Sequence, residues 1–123
     1  KNHMGRHAGT GIFSPDRWIE YLAGVSDPTS MHAMCEDYRA AATIDLVHDR
    51  ADLESKKRLE MPLKVLWGEH GLVNQCFQPL EDWKRVAKTV SGKAVPCGHY
   101  IPEELPEIVT KEAMEFFNTD AVN

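Results

Sequence analysis

Cysteine is sparse in this chain and never paired in a motif. Cys35, Cys76 and Cys97 are odd in number, far apart and without a C-x-x-C spacing. That excludes a disulfide scaffold and points to reduced thiols in a cytoplasmic setting. No apolar run approaches membrane-spanning length, the opening residues do not read as a secretory leader, and no glycine-rich phosphate loop occurs. Positive charge is in deficit, with 14 Lys and Arg against 19 Asp and Glu, so neither nucleic acid nor an anionic membrane is expected as a partner. Repeats and low-complexity tracts are also missing. What is present is an ordinary 42% of hydrophobic residues over 123 positions, enough for one modest globular core.

Lys1 to Phe13, with glycines at 5, 9 and 11 and no initiator methionine, reads as loop from within a longer sequence. Ser14-Pro15 is a helix start, a hydroxyl cap followed by proline at the first helical position. Trp18, Ile19 and Leu22 then share a face, and Gly24 is the expected end. Asp27-Pro28 repeats the signal and opens the longest expected helix. Along it Met31, Met34, Cys35, Tyr38 and Ala42 recur at helical spacing, an apolar stripe expected to be core. The pattern breaks over residues 45–49, and a charged helix from Asp49 to about Arg58 is expected to face solvent.

After Met61-Pro62 the character changes. Leu63 to Trp67 is an apolar run ended by Gly68, suited to a buried parallel strand. Residues 68–75 read as loop. Pro79 starts a helix with Leu80, Trp83, Val86 and Val90 inward. Lys93 to Val95 is a second strand, and Pro106 to Asn118 a last helix burying Val109, Ala113, Phe116 and Phe117. Strand, helix, strand, helix is a βαβα unit of the α/β class, normally parallel and right-handed. Residues 1–60 are thus expected to be helical, and 61–123 the end of an alternating sheet. Two parallel strands are not a stable sheet by themselves, so another chain or an upstream half is expected to complete it.

The chemistry gathers at Val95-Pro96-Cys97-Gly98-His99-Tyr100-Ile101-Pro102-Glu103-Glu104. Gly98 permits a sharp turn at the strand end, and His99 follows at once beside two glutamates, a mounting suited to a base working near neutral pH. A surface histidine on a turn is the plain alternative. Cys97 and His99 with Glu69, His70 and Cys76 have zinc-ligand types but no zinc spacing, and a strand-end Cys97 is better read as a small packed residue than as a nucleophile. His3, His7, His32 and His48 are scattered, and Arg39 reads as an exposed helix arginine.

The stretches MHAMCEDYRA (31–40), IDLVHD (44–49), PLKVLWGE (62–69) and PCGHYIPEELP (96–106) resemble the C-terminal part of α/β-hydrolases of the haloacetate (fluoroacetate) dehalogenase type, and the resemblance runs from Phe13 to Phe117. It implies that 1–60 end a helical cap domain and 61–123 end the hydrolase core. His99 then matches the catalytic histidine, which activates water against an aspartyl ester, and Tyr38 matches a cap tyrosine that hydrogen-bonds the departing halide of a short haloacid. No cofactor is implied. The nucleophile elbow, the carboxylate-binding arginines and the rest of the halide cradle have no counterpart here. Gly71 stands where many such folds carry the histidine-orienting acid, and Glu69 is the nearest substitute. An inactive partial hydrolase is therefore expected, with an epoxide or ester hydrolase of the same fold as the rival chemistry. The non-catalytic reading is a remnant that folds by self-association.

Overall fold

The computed structural model describes residues 9–119, which divide into two compact units, one of residues 13–57 and one of residues 58–119 with the short turn Thr10–Ile12. The loop expected before residue 9, with His3 and His7, lies outside the described residues.

In the unit of residues 13–57, α1 (Pro15–Ser26), α2 (Pro28–Ala41) and α3 (Ile44–Glu54) follow one another. Their starts are local chemistry. The Ser14 hydroxyl accepts from the Arg17 amide at 3.4 Å. The Asp27 carboxylate accepts from the amides of Thr29 at 3.2 Å and Ser30 at 3.1 Å and from the Ser30 hydroxyl at 2.8 Å. That hydroxyl, foremost, holds the Asp27 carboxyl below its ordinary value, as expected of hydrogen bonds to the charged form.

Three expectations fail in this unit. Gly24 does not end α1, because helix interiors tolerate glycine at about 1 kcal/mol relative to alanine and the Asp27 cap sets the boundary two residues beyond Val25. The break comes before residue 45, at Thr43, whose φ of -133° and ψ of -89° leave the helical region while its hydroxyl donates to the Arg39 carbonyl at 2.6 Å. The methionine stripe is not core, since Met31, Met34 and Tyr38 are 38%, 47% and 68% exposed. Within this unit the helices pack chiefly as α1 against α2 and α2 against α3. Among the described residues of this unit Phe13 alone is buried, its ring 5.6 Å from Trp18 and 5.4 Å from Tyr21.

The other unit runs β1 (Leu63–Gly68), α4 (Leu72–Cys76), α5 (Pro79–Lys84), β2 (Val90–Val95), α6 (Ile101–Glu104) and α7 (Pro106–Thr119). The strands are parallel, with Leu63 opposite Val90 and Gly68 opposite Val95, and α4 and α5 form the crossover. This is the expected α/β class with a short sheet.

The details differ for tertiary reasons. Residues 68–75 are not all loop: Asn74 accepts from the Trp67 indole at 2.8 Å and donates to the Glu69 carbonyl at 3.0 Å, which pins the start of α4. Nor does α5 continue to Val90. Arg58 donates to the carbonyls of Lys84 at 2.7 Å and Ala87 at 2.5 Å, and Leu59 exchanges backbone bonds with Val86 and Lys88. The chain is drawn out there, so β2 starts at Val90 and not at Lys93.

Gly92 sits at φ +153°, where a Cβ would lie 2.8 Å from the Val65 carbonyl carbon. On one face of the sheet Lys64 of β1 and Lys93 of β2 both reach Glu112 of α7, a carboxylate that is 6% exposed. Hydrogen bonds from Lys64 and then Lys93 pull its carboxyl down to about 2. Phe117, expected on the buried face of α7, is 70% exposed.

Candidate active site

Parallel β1 and β2 end side by side, and the chain turns sharply after each. Val95 and Cys97 are buried, at 1% and 4% exposure. The turn Cys97-Gly98-His99 crosses directly over the end of β1, where a Cβ on Gly68 would stand 2.7 Å from the Gly98 carbonyl carbon and 2.8 Å from the Cys97 oxygen. Only glycine at 68 admits that approach. The His70 amide donates to the Cys97 carbonyl at 3.0 Å and the Glu69 amide to the Val95 carbonyl at 2.8 Å, so the two turns are stitched together.

Glu104 completes the mounting. Its carboxylate accepts from the Gly98 amide at 2.7 Å and from the Tyr100 amide at 3.0 Å, the two amides flanking His99. A half-buried carboxylate thereby satisfies both donors of a turn that no ladder could reach. From the residues alone, two glutamates stand near His99 and neither has an evident task. The signal was there, since a glutamate just before Leu105-Pro106 at the end of one helical turn folds back onto the turn's start.

His99 is exposed, its ring edge-on to Tyr100 with centroids 5.0 Å apart. It stands on the rim of a cleft of about 460 Å³, within the size range of ligand pockets. Trp67, Leu72, Phe77, Trp83 and Ile101 make the cleft mainly apolar, with Asp82 the acidic exception. The site thus offers an accessible imidazole on a rigid backbone beside an apolar wall, suited to moving a proton to or from a bound molecule.

Other expected residues are placed as follows. Tyr38 lies on α2 in the other unit, and Arg39 beside it pairs with Glu36. His32 lies 3.8 Å from Glu36, and His48 is exposed on α3. Gly71 is buried, and a Cβ there would stand 3.3 Å from the Gly68 oxygen, so the tight turn itself disfavours an aspartate. Burial, with a smaller push from Glu104, raises the Cys97 thiol above its ordinary value, which keeps it protonated and poor as a nucleophile. Among the described residues no group of three His, Cys, Asp or Glu side chains is placed to hold a metal, and no helix is long and apolar enough to cross a membrane.

Set beside solved structures, the chain matches a protein of Nostoc sp. PCC 7120 assigned to the α/β hydrolases, at 41% identity and a TM-score of 0.83, covering 90% of this chain and 38% of that one. This is the C-terminal portion of an α/β-hydrolase fold. Curated relatives include the fluoroacetate dehalogenase of a Burkholderia species, 29% identical over 110 residues, with 89% of this chain and 36% of that protein covered. Another is the soluble epoxide hydrolase of Corynebacterium sp. strain C12, 33% identical over 108 residues, with 86% and 35% covered. The chain therefore spans about a third of the length of the curated relatives it matches. No family model matches. The hydrolase fold is common ground, while the two relatives are named for different reactions.

Proposed function

We propose that this chain is the histidine-bearing part of a hydrolase of the haloacetate dehalogenase kind. Residues 1–60 would be the end of its cap and 61–123 the end of its core. An aspartate from the remainder of the fold attacks the halogen-bearing carbon of a short 2-haloacid, and halide leaves as the ester forms. His99 takes a proton from water, whose oxygen adds to the ester carbonyl; the hydroxy acid departs and the carboxylate is restored. Tyr38 donates to the departing halide. The observation that carries the reading is the exposed imidazole at the rim of the apolar cleft, between two amides held by Glu104. With neither nucleophile nor carboxylate-binding arginines in this chain, activity and a closed sheet both need the rest of the fold. A cytoplasmic, cofactor-free enzyme that binds neither nucleic acid nor membrane is the setting proposed. The Corynebacterium relative favours one second reading, epoxide opening by the same histidine and tyrosine.

The test joins this chain to the part of the Burkholderia dehalogenase that the match leaves out, then measures fluoride release from fluoroacetate and diol from an epoxide. His99→Ala is expected to slow turnover by about a hundredfold or more, with ester accumulating, and Tyr38→Phe to slow halide departure by about a hundredfold. The isolated chain is expected to release no fluoride above its own His99→Ala control. Release above that control, or a joined enzyme indifferent to His99→Ala, refutes the reading; diol without fluoride moves it to the epoxide.

A further inference from the structure

Trp67 directly precedes Gly68, the glycine over which the Cys97-Gly98-His99 turn crosses. Its half-buried side chain walls the cleft on whose rim His99 stands. An indole on two rotatable bonds has several staggered orientations. Which one it takes decides whether its face or its polar edge meets a bound molecule.

Asn74 makes that choice. Its amide oxygen accepts from the Trp67 indole at 2.8 Å, and its amide nitrogen donates to the Glu69 carbonyl at 3.0 Å. An indole can only donate and a carbonyl can only accept. The two partners therefore fix the Asn74 amide in one orientation, and that amide fixes the ring. Glu69 is tied in turn to the strand that carries His99, its own amide donating to the Val95 carbonyl at 2.8 Å. The indole, Asn74, Glu69 and the end of β2 form one hydrogen-bonded series.

The same side chain steadies the neighbouring wall. Gly71 gives α4 no side-chain cap, and a five-residue helix is too short to persist by itself. Asn74 is its middle residue. Leu72 and Val73, just before it, line the cleft with Trp67 and Phe77, so one clasp sets the indole and α4 together.

We propose that Asn74 is a positioning residue for the His99 site, holding the Trp67 indole as the seat for an apolar substituent on C2 of a 2-haloacid. Asn74 acts through the ring and does not touch the substrate. The wall of Trp67, Leu72, Val73 and Phe77 offers that substituent apolar contact, while the reacting carbon stays toward His99 on the rim. The proposal rests on the dehalogenase reading. It adds which acids the site favours, those with an alkyl group on C2 over the bare haloacetate, and the residue that sets this preference.

The joined enzyme tests it through chloride release from chloroacetate and 2-chlorobutanoate, which differ by one ethyl group. The unsubstituted enzyme is expected to show a KM about tenfold lower for 2-chlorobutanoate, as apolar contact with added methylenes gives. Asn74→Leu leaves the indole N–H without its acceptor and should raise that KM about fivefold, the effect of one hydrogen bond, with kcat and the KM for chloroacetate unchanged. Asn74→Asp keeps the acceptor for the indole and loses only the donor to Glu69, so it should stay near the unsubstituted value. In a Trp67→Phe background, which has no N–H to hold, Asn74→Leu should add nothing. If Asn74→Leu fails to fold, Trp67→Phe reads the same preference: a raised KM for 2-chlorobutanoate alone. Equal losses on both acids, a loss in Asn74→Asp as large as in Asn74→Leu, a further loss in the Trp67→Phe background, or equal KM values for the two acids in the unsubstituted enzyme would each overturn the proposal while leaving the dehalogenase reading intact. Chloride release from neither acid by the unsubstituted enzyme would overturn both.

Discussion

Replacing Glu104 by alanine removes the acceptor for two backbone donors at once. The Gly98 and Tyr100 amides lie 2.7 Å and 3.0 Å from its two carboxylate oxygens. A hydrogen bond to a charged group contributes about 1.5–3 kcal/mol. Glu104 is only half-buried, and water reaches part of the turn once the side chain is gone, so the lower end applies to each bond. The loss for Glu104→Ala is then about 3 kcal/mol, large against the ~5–15 kcal/mol stability of an ordinary domain. Glu104→Gln keeps one acceptor oxygen but turns an NH₂ toward the other amide, so about half that loss is expected. Urea unfolding followed by Trp67 and Trp83 fluorescence measures the global effect. Amide exchange at Gly98 and Tyr100 measures the local one and should accelerate in both variants, more in the alanine. Unchanged exchange at those two amides, with an unchanged midpoint, would show that the carboxylate does not hold the His99 turn.

Two further expectations follow from close contacts in the same unit. Gly68→Ala drives a Cβ into the Gly98 carbonyl, backbone against backbone, so a loss of about 1–3 kcal/mol should come with a displaced His99 resonance; an unperturbed His99 signal would contradict the crossing of the two turns. Glu112 has a folded-state value of about 2 against an ordinary 4.5. Its stabilising contribution is therefore complete above pH 4.5 and is lost as pH falls through about 2. Lys93, raised chiefly by its hydrogen bond to Glu112, contributes fully below its unfolded value and loses that only as pH rises through its higher folded one. Unfolding midpoints should be flat from pH 4.5 up to 9.0, above which the raised Cys97 thiol begins to lower stability, and the acid fall should flatten in Glu112→Gln; an identical acid profile in that variant refutes the assignment.

The sequence by itself determined what short-range chemistry decides. Ser14-Pro15 and Asp27-Pro28 start helices because the cap reaches amides only two or three residues away, and the apolar run from Leu63 is a strand wherever it is placed. The Gly-His turn was legible as a candidate site for the same reason. What followed from contacts between distant residues was not legible. Arg58 ends α5 by capping carbonyls at Lys84 and Ala87, Gly68 is required by Gly98, and Glu104 is recruited by amides on the far side of the turn. The Met31 to Ala42 stripe shows the converse. Helical spacing can say that a face is apolar, but whether that face is buried depends on a neighbouring layer, and only the tertiary structure decides whether one is there.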